Sequence, residues 1–143
     1  MTLNKVLLAN HLMPSTVPFK DLSLSFAKNK VTDDLLVKKE DAAVKQAILN
    51  LLLTEKGERL YNAQYGSDLR SHLFEPLDFG TAGSIKDSII RTIKNYEPRV
   101  SVETCIVEPN FDANGFDVQL DFQVLSRADI PSISIEFFLN RSQ

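Results

Sequence analysis

The residues best suited to specific chemistry stand together at Glu97-Pro98-Arg99, where a helix-like pattern gives way to a strand-like one. Proline lacks an N–H and excludes the preceding residue from helical geometry, so it predicts a helix end at Glu97. The arginine offers a planar fork of donors that suits carboxylates and carbonyl groups. The triplet is either a docking corner for another protein or a plain helix end with a local Glu–Arg contact.

Other residue types with catalytic capacity lack a supporting pattern. His11 and His72 are far apart and not at metal-ligand spacing, and no glycine-rich phosphate-binding motif occurs. A glycosidase needs paired carboxylates beside a sugar cleft, and a chain with no tryptophan and three tyrosines has little with which to build one. We therefore predict no catalytic residue, cofactor or metal site, although carboxylates that could form such a pair exist, among them Glu58, Glu75, Glu97 and Glu108.

Composition indicates a globular protein with one domain. The chain has 143 residues, 43% of them hydrophobic and 24% charged, and its net charge of −3 does not favour nucleic acid as a partner. Its single cysteine, Cys105, lies in an alternating pattern typical of a small, semi-buried apolar side chain. No apolar run predicts a membrane span or a signal peptide, so we expect the protein to stay where it is made.

The N-terminal third carries weak patterns. Residues 1–19 have two prolines and no sustained period, and are interpreted as an extended arm. Leu22, Leu24 and Phe26 alternate with serines, which predicts a short strand with these side chains buried. A second short strand is predicted at 35–37.

Two amphipathic helices are predicted next. The first runs from Glu40 to Leu53, with Gln46 outside its apolar stripe and Gly57 following as a stop signal. The second begins near Thr81 or Ser84 and ends before Pro98. The apolar stripes comprise Val44, Ala47, Ile48, Leu51 and Leu52 in the first helix, and Ile85, Ile89, Ile90, Ile93 and Tyr96 in the second. Between the helices lie an ordered loop and a short helical turn that buries Leu69, Leu73 and Phe74.

The C-terminal third is predicted to be an antiparallel meander of three strands. Asn114-Gly115 indicates a tight turn with positive φ. A long alternation before Arg127 predicts a strand with one face in the core. The inward residues are expected to be Val100, Val102, Thr104 and Ile106 in the first strand, Phe116, Val118, Leu120, Phe122 and Val124 in the second, and Ile133, Ile135, Phe137 and Leu139 in the third. The predicted fold is α+β, with two helices on this meander, a short N-terminal strand, an arm at 1–19 and a single domain at 20–143.

Several of these residues, in this order, resemble the baseplate wedge family of contractile phage tails. These are the sheath-initiator proteins, once called lysozyme-like, which have relatives in type six secretion baseplates. The resemblance rests on Thr54-x-x-Gly57-Glu58-Arg59, Tyr65-Gly66, Leu73-Phe74-Glu75 and Tyr96-Glu97-Pro98-Arg99-Val100. It covers about residues 21–138. Leu60 and Ala63 stand where members commonly carry proline. Lys30 follows Asn29 at a position where members often carry proline as well.

The resemblance implies a structural adaptor of the virion tail baseplate, assembled in the host cytoplasm. Glu97, Pro98 and Arg99 would dock on a helical bundle of wedge subunits, while Thr54, Gly57, Glu58, Arg59 and Gly66 would structure the loop beneath them. The strand with Ile133, Ile135, Phe137 and Leu139 would template the tail sheath protein by strand exchange. The tail tube or hub is a further neighbour to consider, and neither nucleic acid nor membrane is expected.

Two alternatives stay open at this point. One is a subunit of a type six secretion baseplate, which neighbouring genes would distinguish from a phage tail. The other is a peptidoglycan-degrading, lysozyme-like enzyme, which a turbidity assay would detect.

Overall fold

The computed structural model describes residues 20–28, 30, 37–39 (backbone only), 41–125 and 131–141. The chain divides into two compact units, residues 1–44 and residues 45–143. The predicted arm at 1–19 lies outside the described residues. The division of the chain into an arm and one domain stays a prediction.

The first unit contains a small antiparallel pair, β1 (Lys20–Leu22) and β2 (Val37–Lys39). The strand predicted around Leu24 is wrong, because β1 ends at Leu22 and a turn follows. The N–H of Phe26 donates to the carbonyl of Ser23, and Phe26 has a positive φ of 48°. Leu22, Leu24 and Phe26 are therefore exposed rather than buried, and Ser23 is buried.

The predicted second strand at 35–37 falls largely outside the described residues, and β2 begins at its last position. Helix α1 (Asp41–Leu53) follows and crosses from the first unit into the second. Its predicted stripe is buried except for Ala47, which is half-buried. Gln46 was predicted to lie outside the stripe and is nevertheless buried, because the buried arc of α1 is wider than its apolar stripe.

A short helix, α2 (Leu69–His72), follows the loop. Leu69 and Leu73 are buried as predicted, since residues four apart share one helix face. Phe74 was predicted to be buried and is exposed, because it lies one position further round the turn.

The long helix α3 (Phe79–Tyr96) begins earlier than predicted. Asp78 caps it, its Oδ1 accepting the N–H of Thr81 at 2.7 Å, and this hydrogen bond lowers the pKa of Asp78. Ile85, Ile89 and Ile93 are fully buried, while Ile90 and Tyr96 are half-buried. The helix ends before Pro98 as predicted.

Three antiparallel strands complete the second unit: β3 (Val100–Asn110), β4 (Gly115–Val124) and β5 (Ile133–Asn140), in the order β3-β4-β5. Asn114 has the predicted positive φ, at 50°. Gly115 lets β5 approach closely, because a Cβ there would lie 2.3 Å from the ring of Phe138. Helix α3 packs against β3, and α2 packs against α3.

The facing predicted for β3 is wrong after Val102. Val102 pairs with Phe122 and Thr104 with Asp121, so Glu103 is an extra residue, a β-bulge. One inserted residue reverses which side chains point inward. Thr104 and Ile106 are consequently exposed, and Cys105 is buried opposite Leu120, as its small side chain suggested.

The core of the second unit lies on the inner face of β4. Every inward residue predicted for this strand is buried, and so are Ile133, Ile135 and Leu139 of β5, with Phe137 half-buried. Glu136 and Phe138 lie on the opposite, exposed face of the sheet. The α+β architecture predicted from the sequence is confirmed.

Truncating the core should destabilise the protein strongly. Phe122→Ala is expected to lower the free energy of unfolding by ~3–5 kcal/mol and Ile89→Ala by ~2–5 kcal/mol, because each leaves a cavity at a fully buried site. Phe111→Ala and Ile106→Ala are matched controls at exposed positions and should change it by less than ~1 kcal/mol. Chemical denaturation measures all four. Equal effects at buried and exposed positions would contradict this facing of the sheet.

Candidate functional site

The Glu97-Pro98-Arg99 corner is a tight turn between α3 and β3. The N–H of Glu97 still donates to the carbonyl of Ile93 at 2.8 Å, and the N–H of Val100 donates to the carbonyl of Glu97 at 3.2 Å. At the far side, the carbonyl of Arg99 accepts the N–H of Leu125 at 2.9 Å. The corner is thereby held by the helix before it, by its own turn and by the end of β4.

The two charged side chains of the corner bind each other. The guanidinium of Arg99 donates from Nε to Oε1 of Glu97 at 2.5 Å and from Nη2 to Oε2 at 2.6 Å. The Glu97 side chain is 9% exposed and that of Arg99 is 42% exposed. The arginine thus neutralises a buried carboxylate with its inner edge and presents its outer surface to solvent next to exposed Pro98.

The loop between α1 and α2 is built by hydrogen bonds rather than by a core. The carbonyl of Thr54 accepts the N–H of Ser67 at 2.9 Å, and Oγ1 of Thr54 donates to the carbonyl of Asn50 at 2.6 Å. Glu55 and Glu58 bond reciprocally, through the N–H of Glu58 at 3.1 Å and a Glu58 carboxylate oxygen at 3.0 Å. These contacts agree with a loop-structuring role for Thr54 and Glu58.

Two glycines of the loop adopt positive φ. Gly57 has a φ of 89° and its N–H donates to the carbonyl of Ala63 at 2.8 Å. Gly66 has a φ of 126°, and a Cβ there would lie 2.6 Å from the carbonyl oxygen of Thr54. Gly66 therefore permits both the backbone conformation and the close approach that joins the two ends of the loop.

Aromatic side chains connect the loop to the corner. The guanidinium of Arg59 lies 4.0 Å from the centre of the Tyr65 ring, which meets the Tyr96 ring edge-on with centroids 5.4 Å apart. The Tyr96 hydroxyl donates to the carbonyl of Gln64. Tyr96 directly precedes the corner, so the loop and the corner form one structure. The sequence placed Tyr96 in a helix stripe and in the corner motif, but it did not predict the contact with Gln64 and Tyr65, because no local spacing reveals a contact between residues so distant in the chain.

Strand β5 lies at an edge of the sheet, as its proposed template role requires. It pairs with β4 along one side, and no strand among the described residues pairs with its other side. Its predicted residues Ile133, Ile135 and Leu139 are buried and Phe137 is half-buried.

His72 and Cys105 are two described residues of types that can take part in catalysis. His72 pairs with Glu75 at 3.2 Å, and burial raises the pKa of the Cys105 thiol. Among the described residues, no cluster of three or more His, Cys, Asp or Glu side chains is arranged to hold a metal ion. Within the same part of the chain, none of the helices has the length and apolar character needed to cross a membrane.

Comparison with known sequences identifies similar proteins. Residues 38–128 match the family model described as baseplate wedge protein gp25. The chain is 31% identical over 87 residues to the baseplate wedge protein gp25 of Enterobacteria phage T4. That match covers 61% of this chain and 66% of the phage protein, so the chain spans slightly less than two thirds of its relative's length.

Solved structures share the fold. A chain of the anti-feeding prophage baseplate superposes with a TM-score of 0.60 at 18% identity, covering 87% of each chain. A chain of the postcontracted pyocin R2 baseplate gives 0.55 at 23% identity, covering 68% of this chain and 96% of that one. A Geobacter sulfurreducens protein, named provisionally as a tail lysozyme, gives 0.62 at 18% identity, covering 70% and 89%. At these identities the likeness shows the fold alone.

Replacing Gly66 should damage the loop. Gly66→Ala is expected to lower the free energy of unfolding by more than ~1 kcal/mol, because the methyl group meets the Thr54 carbonyl and positive φ is strained for alanine. Gly83→Ala is the matched control: a Cβ at Gly83 in α3 meets nothing within 4 Å, and alanine should stabilise the helix by ~0.5–1 kcal/mol. Thermal or chemical denaturation compares them. A neutral Gly66→Ala would show that the loop tolerates a different closure.

Proposed function

Because the chain belongs to the baseplate wedge protein gp25 family, we propose that it is a structural subunit of a contractile-tail baseplate with two binding surfaces. One surface is the Glu97-Pro98-Arg99 corner, which docks on neighbouring wedge subunits. The other is the free edge of β5, which receives the tail sheath protein. The protein acts by holding partners in position rather than by catalysis.

The geometry of the corner is the observation that carries this proposal. Glu97 is buried and holds Arg99 by two hydrogen bonds, so the guanidinium is fixed in place without a partner protein. A preordered arginine loses little side-chain freedom on binding, and its outer surface suits carboxylate or carbonyl groups. Pro98 adds a rigid apolar surface beside it.

The loop supports the corner in this proposal. Thr54, Gly57, Glu58 and Gly66 close the loop on itself, and Arg59 extends the ring contacts towards Tyr96. We assign these residues a structural role, in which they set the position of the corner without contacting the partner.

The edge of β5 suits strand addition. An unpaired strand edge offers N–H and C=O groups in a regular row, and an incoming chain can extend the sheet along them. The corner leads into β3, which is one edge of the sheet, and β5 is the opposite edge. One subunit can therefore bind wedge proteins and sheath at the same time.

These functions place the protein in the tail baseplate of a virion, assembled in the host cytoplasm. The tail tube or hub is a further candidate neighbour. A secretion baseplate would use the same two surfaces, and the neighbouring genes distinguish the two settings.

The corner should be necessary for docking. The paired change Glu97→Gln and Arg99→Gln keeps a neutral hydrogen-bonding pair, and it should weaken binding to purified wedge subunits by ~2–5 kcal/mol because the fixed charge is lost. Calorimetry or pull-down with the neighbouring wedge subunits measures the loss.

One control variant tests whether the loss is specific to the corner. Arg91→Gln removes an exposed cation of α3, the helix that precedes the corner, and should leave binding unchanged. Arg99→Ala alone is less informative, because it leaves buried Glu97 without its partner and should lower stability as well. Full binding by the paired variant, with an unchanged unfolding midpoint, would contradict a docking role for the corner.

The free edge of β5 should be necessary for sheath assembly. Neighbouring residues of an antiparallel strand direct their N–H groups to opposite sides of the strand. Of the two variants Ile135→Pro and Glu136→Pro, one therefore removes a hydrogen bond to β4, and the other removes a donor on the outer edge. The variant that keeps the wild-type unfolding midpoint should give baseplates and tubes without ordered sheath in electron micrographs. Normal sheath on those tails would contradict the template role.

A further inference from the structure

The apex of the loop exposes two large apolar side chains side by side. Leu60 is 93% exposed and Tyr61 is 103% exposed, the highest values among the large hydrophobic residues that the structure describes. Isolated exposed apolar residues are ordinary on protein surfaces. Two adjacent ones, both almost fully exposed among the residues that the structure describes, are a feature that the fold itself does not require.

The backbone at this apex is an ordered turn. The N–H of Asn62 donates to the carbonyl of Arg59 at 3.3 Å, which makes Leu60 and Tyr61 the two central residues of a four-residue turn. Such positions usually carry glycine, proline, asparagine, aspartate or serine, each for a conformational reason. Neither Leu60 nor Tyr61 has a positive φ, and neither is a residue type that the turn favours. Turn geometry therefore does not account for them.

The turn is held on the same structure as the corner. The bond from the N–H of Gly57 to the carbonyl of Ala63 closes the chain beneath it. Arg59, the first residue of the turn, stacks on Tyr65, and Tyr65 meets Tyr96 next to the corner. A partner that binds both the corner and the turn would meet two surfaces already fixed relative to each other, which lowers the entropic cost of binding.

We propose that Leu60 and Tyr61 form a second anchor for the wedge subunits that bind the corner, inserting into an apolar pocket on that partner. This inference rests on the proposed function. Tyrosine is one of the residue types that dominate binding energy at protein interfaces. The adjacent Glu58 and Arg59 carry opposite charges, so the apex has no net charge with which to attract an anionic lipid surface. An apolar protein pocket that takes up the tyrosine ring fits this chemistry.

The test is the affinity of purified neighbouring wedge subunits for variants of the full chain. The pair Leu60→Ser and Tyr61→Ser should bind at least ~10-fold more weakly with an unchanged unfolding midpoint, since both side chains are already in water in the free protein. Tyr61→Phe should retain most of the affinity, because the ring still fills the pocket. Phe111→Ser, at another exposed turn, is the matched control and should bind as the wild type does.

The outcomes separate this inference from the function on which it rests. Wild-type affinity in the Leu60/Tyr61 pair, together with lost binding in the corner variant, would overturn the second anchor and leave the docking corner intact. No binding by the wild-type chain would overturn both. Binding of the wild type to vesicles of phosphatidylcholine and phosphatidylglycerol, lost in the pair while wedge affinity stays unchanged, would overturn the protein pocket in favour of a membrane.

Discussion

The Glu97–Arg99 ion pair is the interaction on which the corner between α3 and β3 depends. Pro98 ends α3 and places the two side chains on either side of a rigid turn, and burial of the Glu97 carboxylate requires a charged or hydrogen-bonding partner. Arg99 supplies it with two hydrogen bonds. The same contact sets the direction in which the chain enters β3 and fixes the guanidinium that we propose as a docking group.

This arrangement joins stability and recognition in one pair of residues. A substitution at Arg99 acts on the buried carboxylate and on the exposed surface together, so lost assembly in a single variant does not by itself identify a contact. The loop also combines a supporting role with a proposed binding role. Its glycines, its backbone bonds and the contact of Tyr65 with Tyr96 position the corner, and they also present Leu60 and Tyr61 at its apex. Within the loop, Thr54 and Gly57 make hydrogen bonds inside the chain, whereas the side chains of Leu60 and Tyr61, the proposed contact residues, face solvent.

The sheet keeps the second proposed surface apart from the first. Strand β4 is central and supplies an inward face that is wholly apolar, so it holds both neighbours in register. Strand β3 begins at the corner and packs against α3. Both β3 and β5 are edge strands of this sheet, and β5 is the edge away from the corner. The bulge at Glu103 changes which side chains of β3 face the core, because after it Cys105 is buried and Ile106 is exposed.

The sequence by itself determined the features that depend on near neighbours in the chain. Pro98 ends a helix wherever it stands, the strict alternation of β4 requires one buried face, and Asn114 suits a turn with positive φ. The order of the loop and corner residues was enough to indicate the family. Tertiary structure decided which apolar residues are covered, because coverage depends on elements distant in sequence. The turn after Leu22 exposes Leu24 and Phe26, the bulge at Glu103 reverses the facing of β3, and the contact of Tyr96 with Gln64 and Tyr65 arises only once the loop has folded.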